Sequence, residues 1–310
     1  MIERLFLFNP DLEMAIANGG LYYTPPARIV RMSRELAYLP AYFSKEGDGI
    51  LLPFIPDAGF VKSRREWFGL HPRIVLREKW QEEQVRQIEP WGWTPRESHY
   101  FKRQEVWDDN RKELYSRKTA LRMLNELGKE LDFVDRETVL PVICYSLEEV
   151  KKCLREGDYL LKAPWSSSGR GILPLSSGGL SGKSQEWVKG VLQRQNYVMV
   201  EKRLDRVCDF AMEFRIDAGA KVNFLGLSEF STGKEGEYKG NRLGSQEVIR
   251  REPERYVGSE ILTFVQRELQ KLLGILIAPY YEGYLGVDMM IYREKTGIYK
   301  VQHCVEINLR

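Results

Sequence analysis

Tyr159-Leu160-Leu161-Lys162-Ala163-Pro164-Trp165-Ser166-Ser167-Ser168-Gly169-Arg170-Gly171-Ile172 is the stretch on which the organisation of the chain turns. An apolar run delivers a lysine, and a loop of small residues follows. Ile172-Leu173-Pro174-Leu175 resumes the apolar pattern, so the spacing predicts strand, loop, strand. Small side chains let backbone N–H groups approach a ligand closely, and serine hydroxyls add donors. Such a loop can wrap phosphate oxygens above a fixed positive charge at Lys162. Most Gly-rich turns bind nothing, so the rest of the chain has to decide.

Downstream, Tyr197-Val198-Met199-Val200-Glu201-Lys202-Arg203-Leu204 reads as a strand that turns polar at its end. Asp209, Glu213 and Arg215 follow at spacings of two or four, so in a strand all three side chains point the same way. Two acids and a base between apolar residues make either a structural ion pair or a site. Residues 222–229 form another strand. The Gly-, Lys-, Glu- and Tyr-rich segment 231–242 is either a closing loop or a surface hairpin. Residues 258–277 form an amphipathic helix with Ile261, Val265, Leu269, Leu272 and Leu276 towards a core. Two final strands, 283–292 and 299–310, are joined by the turn Lys295-Thr296-Gly297. Asp288 lies in the first, Glu306 and Asn308 in the second. Three oxygen ligands converging beside a phosphate cradle suit magnesium, which takes one or two carboxylates, phosphate oxygens and water.

Upstream, residues 1–95 read as a small α/β unit. Residues 5–8 form a strand and Asn9-Pro10-Asp11 a turn. Pro25-Pro26 starts a helix carrying Ile29, Met32, Leu36 and Leu39 on one face, and 50–53 and 73–76 are further strands. Strand–helix alternation favours a parallel sheet. Asn9, Asp11, Glu13 and Asn18 follow the first strand and either touch a substrate or serve as turn and cap residues. Residues 80–116, with Trp91-Gly92-Trp93, read as a connector. A helix then runs from an N-cap at Ser116 to a C-cap at Gly128. Lys118 sits in its first turn, where a cation opposes the helix dipole and an anion-binding role gains weight. Ser177-Gly178-Gly179-Leu180-Ser181-Gly182-Lys183-Ser184 departs from a Walker A motif at Ser177 and precedes a helical stretch, 185–195. No apolar strand ending in aspartate follows to support a P-loop.

With 310 residues, 43% apolar and 29% charged, the chain can build two or three domains of an ordinary soluble protein. A net charge of +3 gives no case for nucleic acid. No apolar run approaches a membrane span, and Met1–Phe8 reads as a first strand rather than a signal peptide. Cys144, Cys153, Cys208 and Cys304 lack C-x-x-C spacing and fit reduced thiols in a cytoplasmic protein. His71, His99 and His303 are too scattered for a His/Cys metal site or a histidine-dependent hydrolase.

The order of these motifs resembles the ATP-grasp superfamily, from Ser116 to Arg310. The resemblance implies an α/β fold, α+β in the C-terminal part. An N-terminal Rossmann-like domain (1–115) would precede a small central lid (116–200) and a C-terminal antiparallel-sheet domain (201–310). It implies ATP and Mg2+ between the last two. Lys118, Lys162 and the loop residues Ser166, Ser167, Ser168, Gly169, Arg170 and Gly171 would hold phosphates. Glu201, Lys202 and Leu204 would read adenine, and Asp209 the ribose. Asp288, Glu306 and Asn308 would be the metal ligands, and Arg215 or Arg310 would steady the transferred phosphoryl group. Arg310 completes a Glu-x-Asn-x-Arg ending similar to that of several family members. The implied chemistry is ATP-dependent ligation of a small-molecule or peptide carboxylate to an amine. A small-molecule kinase on the same fold and a non-catalytic nucleotide-binding module are the alternatives, and the family's habit of pairing allows a homodimer. Two departures stand out. Family members continue beyond the position of Arg310, which suggests a C-terminal truncation, and the hairpin between Asp288 and Glu306 is longer than in compact members.

Overall fold

The structure, a computed structural model, describes residues 1–102, 107–130, 136–166, 171–176, 179–233 and 237–310. Backbone contacts divide it into two compact units, Met1–Trp107 together with Arg310, and Asp108–Leu309. No helix among the described residues is long and apolar enough to cross a membrane.

The first unit contains β1 (Ile2–Leu7), α1 (Leu12–Asn18), α2 (Ala27–Glu35), β2 (Gly49–Leu52), α3 (Ala58–Phe68), β3 (Arg73–Leu76), β4 (Val85–Pro90) and α4 (Pro95–Tyr100). Its four strands are parallel, in the order β3-β2-β1-β4. The alternation of strand and helix therefore produced the expected parallel sheet. β4 is the element the connector reading overlooked. Its only aliphatic residues are Val85 and Ile88, three apart, which hides a strand period of two. The helix after Pro26 ends at Glu35, so Leu36 and Leu39 are not on it; Leu36 is exposed. The loop after β1 is occupied by internal contacts. Asn9 exchanges two hydrogen bonds with the backbone of Gly92, at 2.8 and 3.2 Å. Asp11 pairs with Arg96, and Arg96 with the buried Glu97.

The second unit contains α5 (Asp109–Leu114), α6 (Arg117–Glu130), α7 (Arg136–Val139), β5 (Val142–Cys144), α8 (Leu147–Cys153), β6 (Tyr159–Lys162), β7 (Ile172–Leu175), α9 (Gly182–Gln195), β8 (Val198–Lys202), β9 (Asp205–Ile216), β10 (Val222–Thr232), β11 (Tyr238–Arg242), α10 (Gln246–Val257), α11 (Ser259–Leu276), β12 (Gly283–Arg293) and β13 (Tyr299–Leu309). It holds two antiparallel sheets, β5-β8-β6-β7 and β11-β10-β9-β12-β13. α6 runs past Gly128, so that glycine is not its cap. The Walker-like segment ends in α9, whose N-cap is Ser181; Ser177 and Gly178 lie outside the described residues. β7 before it is an antiparallel edge strand, whereas a P-loop follows a strand of a parallel sheet. Segment 231–242 is the β10–β11 hairpin at its ends, with 234–236 outside the described residues.

Strict alternation organises the five-stranded sheet. Phe210, Met212, Phe214 and Ile216 of β9 and Leu285, Val287, Met289 and Ile291 of β12 are buried on one face. α6 and α11 cover that face, with α11 contributing Leu262, Val265, Leu269, Leu272 and Leu273 at helical spacing. Burying those five side chains is worth on the order of 10 kcal/mol gross. That exceeds the net value of about 1 kcal/mol for one hydrogen bond, so the core and not the polar contacts sets the register.

β12 and β13 slip register between Asp288 and Met290, and His303 and Cys304 are buried in the bulged segment of β13. Burial pushes the His303 imidazole down to about 4. The unfolded chain takes up this proton near pH 6.5 and the folded chain near 4. Stability from this group is therefore fully present above pH 6.5 and falls as pH drops between those values, by about 1.4 kcal/mol per pH unit. Urea unfolding of wild type and His303→Gln between pH 7 and 4.5 tests this. The expected result is a shallower acid loss in the variant; parallel profiles would refute it.

Candidate functional site

The face of the five-stranded sheet opposite the helices is polar. Register places Ser228 of β10, Ala211 of β9, Asp288 of β12 and Glu306 of β13 in one cross-strand row. Glu213, Gly286 and Asn308 form the next row, and Arg215 and Tyr284 the one after. In the opposite direction along the strands, Asp209 pairs with Met290 in the row beyond Ala211 and Asp288. Asp209, Glu213 and Arg215 thus share a face, as their spacing predicted. Asp288, Glu306 and Asn308 also come together: Asn308 Nδ2 donates to Asp288 Oδ2 at 2.9 Å. All three are half-buried.

The strand–loop–strand around Lys162 is present as the antiparallel pair β6–β7. Lys162 is buried, and its ammonium lies 2.5 Å from Glu201 at the end of β8. Ala163 N donates to Gly171 O at 2.8 Å, which closes the loop at its base. Gly171 has no room for a side chain, because a Cβ there would overlap Ser166. Ser167, Ser168, Gly169 and Arg170 lie outside the described residues.

Arg117, which the sequence reading passed over in favour of its neighbour Lys118, links the loop to the polar face. Its Nε donates to Ala163 O at 3.1 Å and its NH2 to Ser166 Oγ at 3.2 Å. The same NH2 lies 3.2 Å from Glu306 Oε1. Its backbone N–H also reaches Pro164 O, so the first residue of α6 is tied to the loop twice over. A planar guanidinium presents several donors in a fixed fork, which a lysine cannot do. The signal available in the sequence was a second cation beside Lys118. Lys118 itself pairs with Glu113 at 3.1 Å and lies 4.4 Å from the centre of the Tyr197 ring.

The remaining expected residues are placed as follows. Lys202 is exposed, and Leu204 lies in the two-residue link between the sheets. Asp209 accepts from Thr232 at 2.6 Å and is 3.3 Å from Arg206. Burial raises its carboxyl, against the lowering pull of Thr232 and Arg206. The Arg215 guanidinium lies 5.3 Å from the Tyr284 ring centre. Arg310 groups with the first unit, where it is 2.7 Å from Glu13. Among the described residues no cluster of three or more His, Cys, Asp or Glu is arranged to hold a metal. The set Asp288, Glu306 and Asn308 is two carboxylates and an amide. Those hard oxygen donors fit magnesium, which fills its other positions with water and phosphate oxygens.

Replacing Arg117 tests the link. Arg117→Met leaves three acceptors without their donor and should cost about 1–3 kcal/mol in urea unfolding. Arg117→Lys should recover only part of that, because one ammonium cannot span all three. A neutral Arg117→Met would show that the fork contributes nothing.

No protein-family model matches the chain, and no curated protein matches its sequence. Solved structures do match. Over 99% of its length the chain superposes on N5-carboxyaminoimidazole synthetase from Staphylococcus aureus complexed with ADP, with a TM-score of 0.54 and 10% identity. All of it superposes on the biotin carboxylase domain dimer of Hydrogenobacter thermophilus 2-oxoglutarate carboxylase, in complex with MgADP, ADP and bicarbonate, at 0.57 and 14%. A third match is L-amino acid ligase from Bacillus licheniformis, at 0.50 and 12% over 99% of the chain. The chain spans 70%, 64% and 68% of those three structures. At these identities the likeness concerns architecture: the chain has the ATP-grasp fold.

Proposed function

We propose that the protein is an ATP-dependent ligase that activates a carboxylate as an acyl phosphate for attack by an amine. MgATP would lie between a central lid, residues 116–200, and the C-terminal sheet, residues 201–310, with residues 1–115 as a separate N-terminal domain. The observation that carries this reading is the bridge made by Arg117. It joins the base of the small-residue loop to a carboxylate of the Asp288, Glu306 and Asn308 set. Cations for phosphates and oxygen donors for a metal thereby fall in one compact unit.

On this reading, Lys162 and Arg117 neutralise ATP phosphates, and backbone amides of the loop wrap them. Asp209 would hold the ribose and Glu201, Lys202 and Leu204 the adenine, with Lys118 adding charge at the edge. Magnesium held by Asp288, Glu306 and Asn308 would supply charge neutralisation on the phosphates. A carboxylate oxygen attacks the γ-phosphorus, and ADP leaves with the electrons of the broken P–O bond. The amine nitrogen then attacks the acyl carbon, phosphate leaves, and the nitrogen gives up a proton. Arg215 and Arg310 are the candidates for steadying the phosphoryl group. No covalent protein nucleophile is required, because positioning and charge do the chemistry.

Calorimetric titration of MgATP into the full chain tests the reading. Binding should weaken at least about tenfold in Lys162→Ala and Glu306→Ala, since each removes a charged partner. Phosphate release with paired carboxylates and amines should then depend on the amine. Release without any amine would favour a kinase, and absence of nucleotide binding would reject the proposal.

A further inference from the structure

Glu213 has no role in the proposed reaction, yet its carboxylate is oriented by a hydrogen bond on the polar face. Ser228 Oγ donates to its Oε1 at 2.7 Å. Its Oε2 lies over Gly286, where a Cβ would come within 2.8 Å of it and the flexible carboxylate would have to shift. Glycine in a strand interior often marks a place where another group approaches closely, and here that group is the half-buried Glu213 carboxylate. The arrangement leaves the acid lying across β12, in the row of Asn308 and one row from Asp288 and Glu306.

We infer that Glu213 is an outer carboxylate of the cation site, acting on the bound ion through the waters it retains. This rests on the metal placement given under Proposed function. Charge supports it. Arg117 lies 3.2 Å from Glu306 and offsets one of the two negative charges at Asp288 and Glu306. A single remaining negative charge is a weak match for a divalent ion, and Glu213 restores the second. Register supports an outer rather than a direct role, since Glu213 lies one cross-strand row away from Asp288 and Glu306. Magnesium keeps several waters, and each water needs an acceptor. Partners in that outer layer typically change metal affinity by about 10–100-fold when removed.

Glu213 is therefore a positioning residue, and its readout is metal affinity rather than turnover. Mn2+, which shares the preference for oxygen donors, serves as a paramagnetic probe. Free Mn2+ is followed by electron paramagnetic resonance as it is titrated into the full chain with saturating ADP. Glu213→Gln should raise the Mn2+ dissociation constant about tenfold or more, and Ser228→Ala should raise it by less. ADP affinity measured in EDTA should stay unchanged in both, which a general loss of structure would not allow. Ser228→Ala keeps the carboxylate and so reports on the same contact should Glu213→Gln fail to fold. A Mn2+ constant within about twofold of wild type in both variants overturns the inference while leaving the metal placement intact. Failure of the wild-type ADP complex to take up Mn2+ overturns the placement itself, and this inference with it.

Discussion

A slip of β9 by one residue against β12 would turn Asp209 and Glu213 into the helix-packed core and put Phe210 and Met212 in water. Everything at the candidate site depends on that register. The acids do not choose it, because four carboxylates on one face repel one another. At an effective dielectric of about 20, two like charges about 4 Å apart cost about 4 kcal/mol. The apolar face under α6 and α11 imposes the arrangement and tolerates the repulsion. The site is in this sense a by-product of a well-made core on the other side of the same strands.

Counter-charges then shape what the acids can do. Arg117 and Lys162 are both buried, and each is held against a carboxylate, Glu306 and Glu201 respectively. A buried cation without such a partner would be expensive, so these pairs are needed whatever the protein binds. They also fix where positive charge stands in relation to the small-residue loop. The result is one cation at the base of the loop, Arg117, that also reaches an oxygen donor of the sheet, and a second, Lys162, at the end of β6. That juxtaposition suits a polyphosphate with its cation better than it suits either alone.

Much of this could be read from the residues, because the relevant signals were periodic. The two-residue alternation of β9, the Lys295-Thr296-Gly297 hairpin and the spacing of Glu306 and Asn308 all determined facing before any fold was known. The strand around Lys162 was legible for the same reason. Arg117 was not, because its importance lies in reaching Ala163, Ser166 and Glu306, positions 46 to 189 residues away. No local pattern separates it from Lys118, and the helix-dipole argument applied to Lys118 alone. β4 was missed because Val85 and Ile88 are three apart, and α10 because Pro253 stands inside it. In both, tertiary packing overrides a local signal that points elsewhere.

The same reasoning separates residues that stabilise the sheet from residues that do something else. Asp209 is clasped by Thr232 and Arg206 beside the β10–β11 hairpin, so a structural role already accounts for much of it. Glu306 closes a tie to α6, which also has structural value. Glu213 accepts from Ser228 and faces Gly286, where a Cβ would meet only the flexible end of its carboxylate. Sequences that specify a fold are locally consistent, and departures collect where function outweighs stability. The rows that hold Asp288 with Glu306 and Glu213 with Asn308 are such a departure, since a sheet face built for stability alone would not gather these acids.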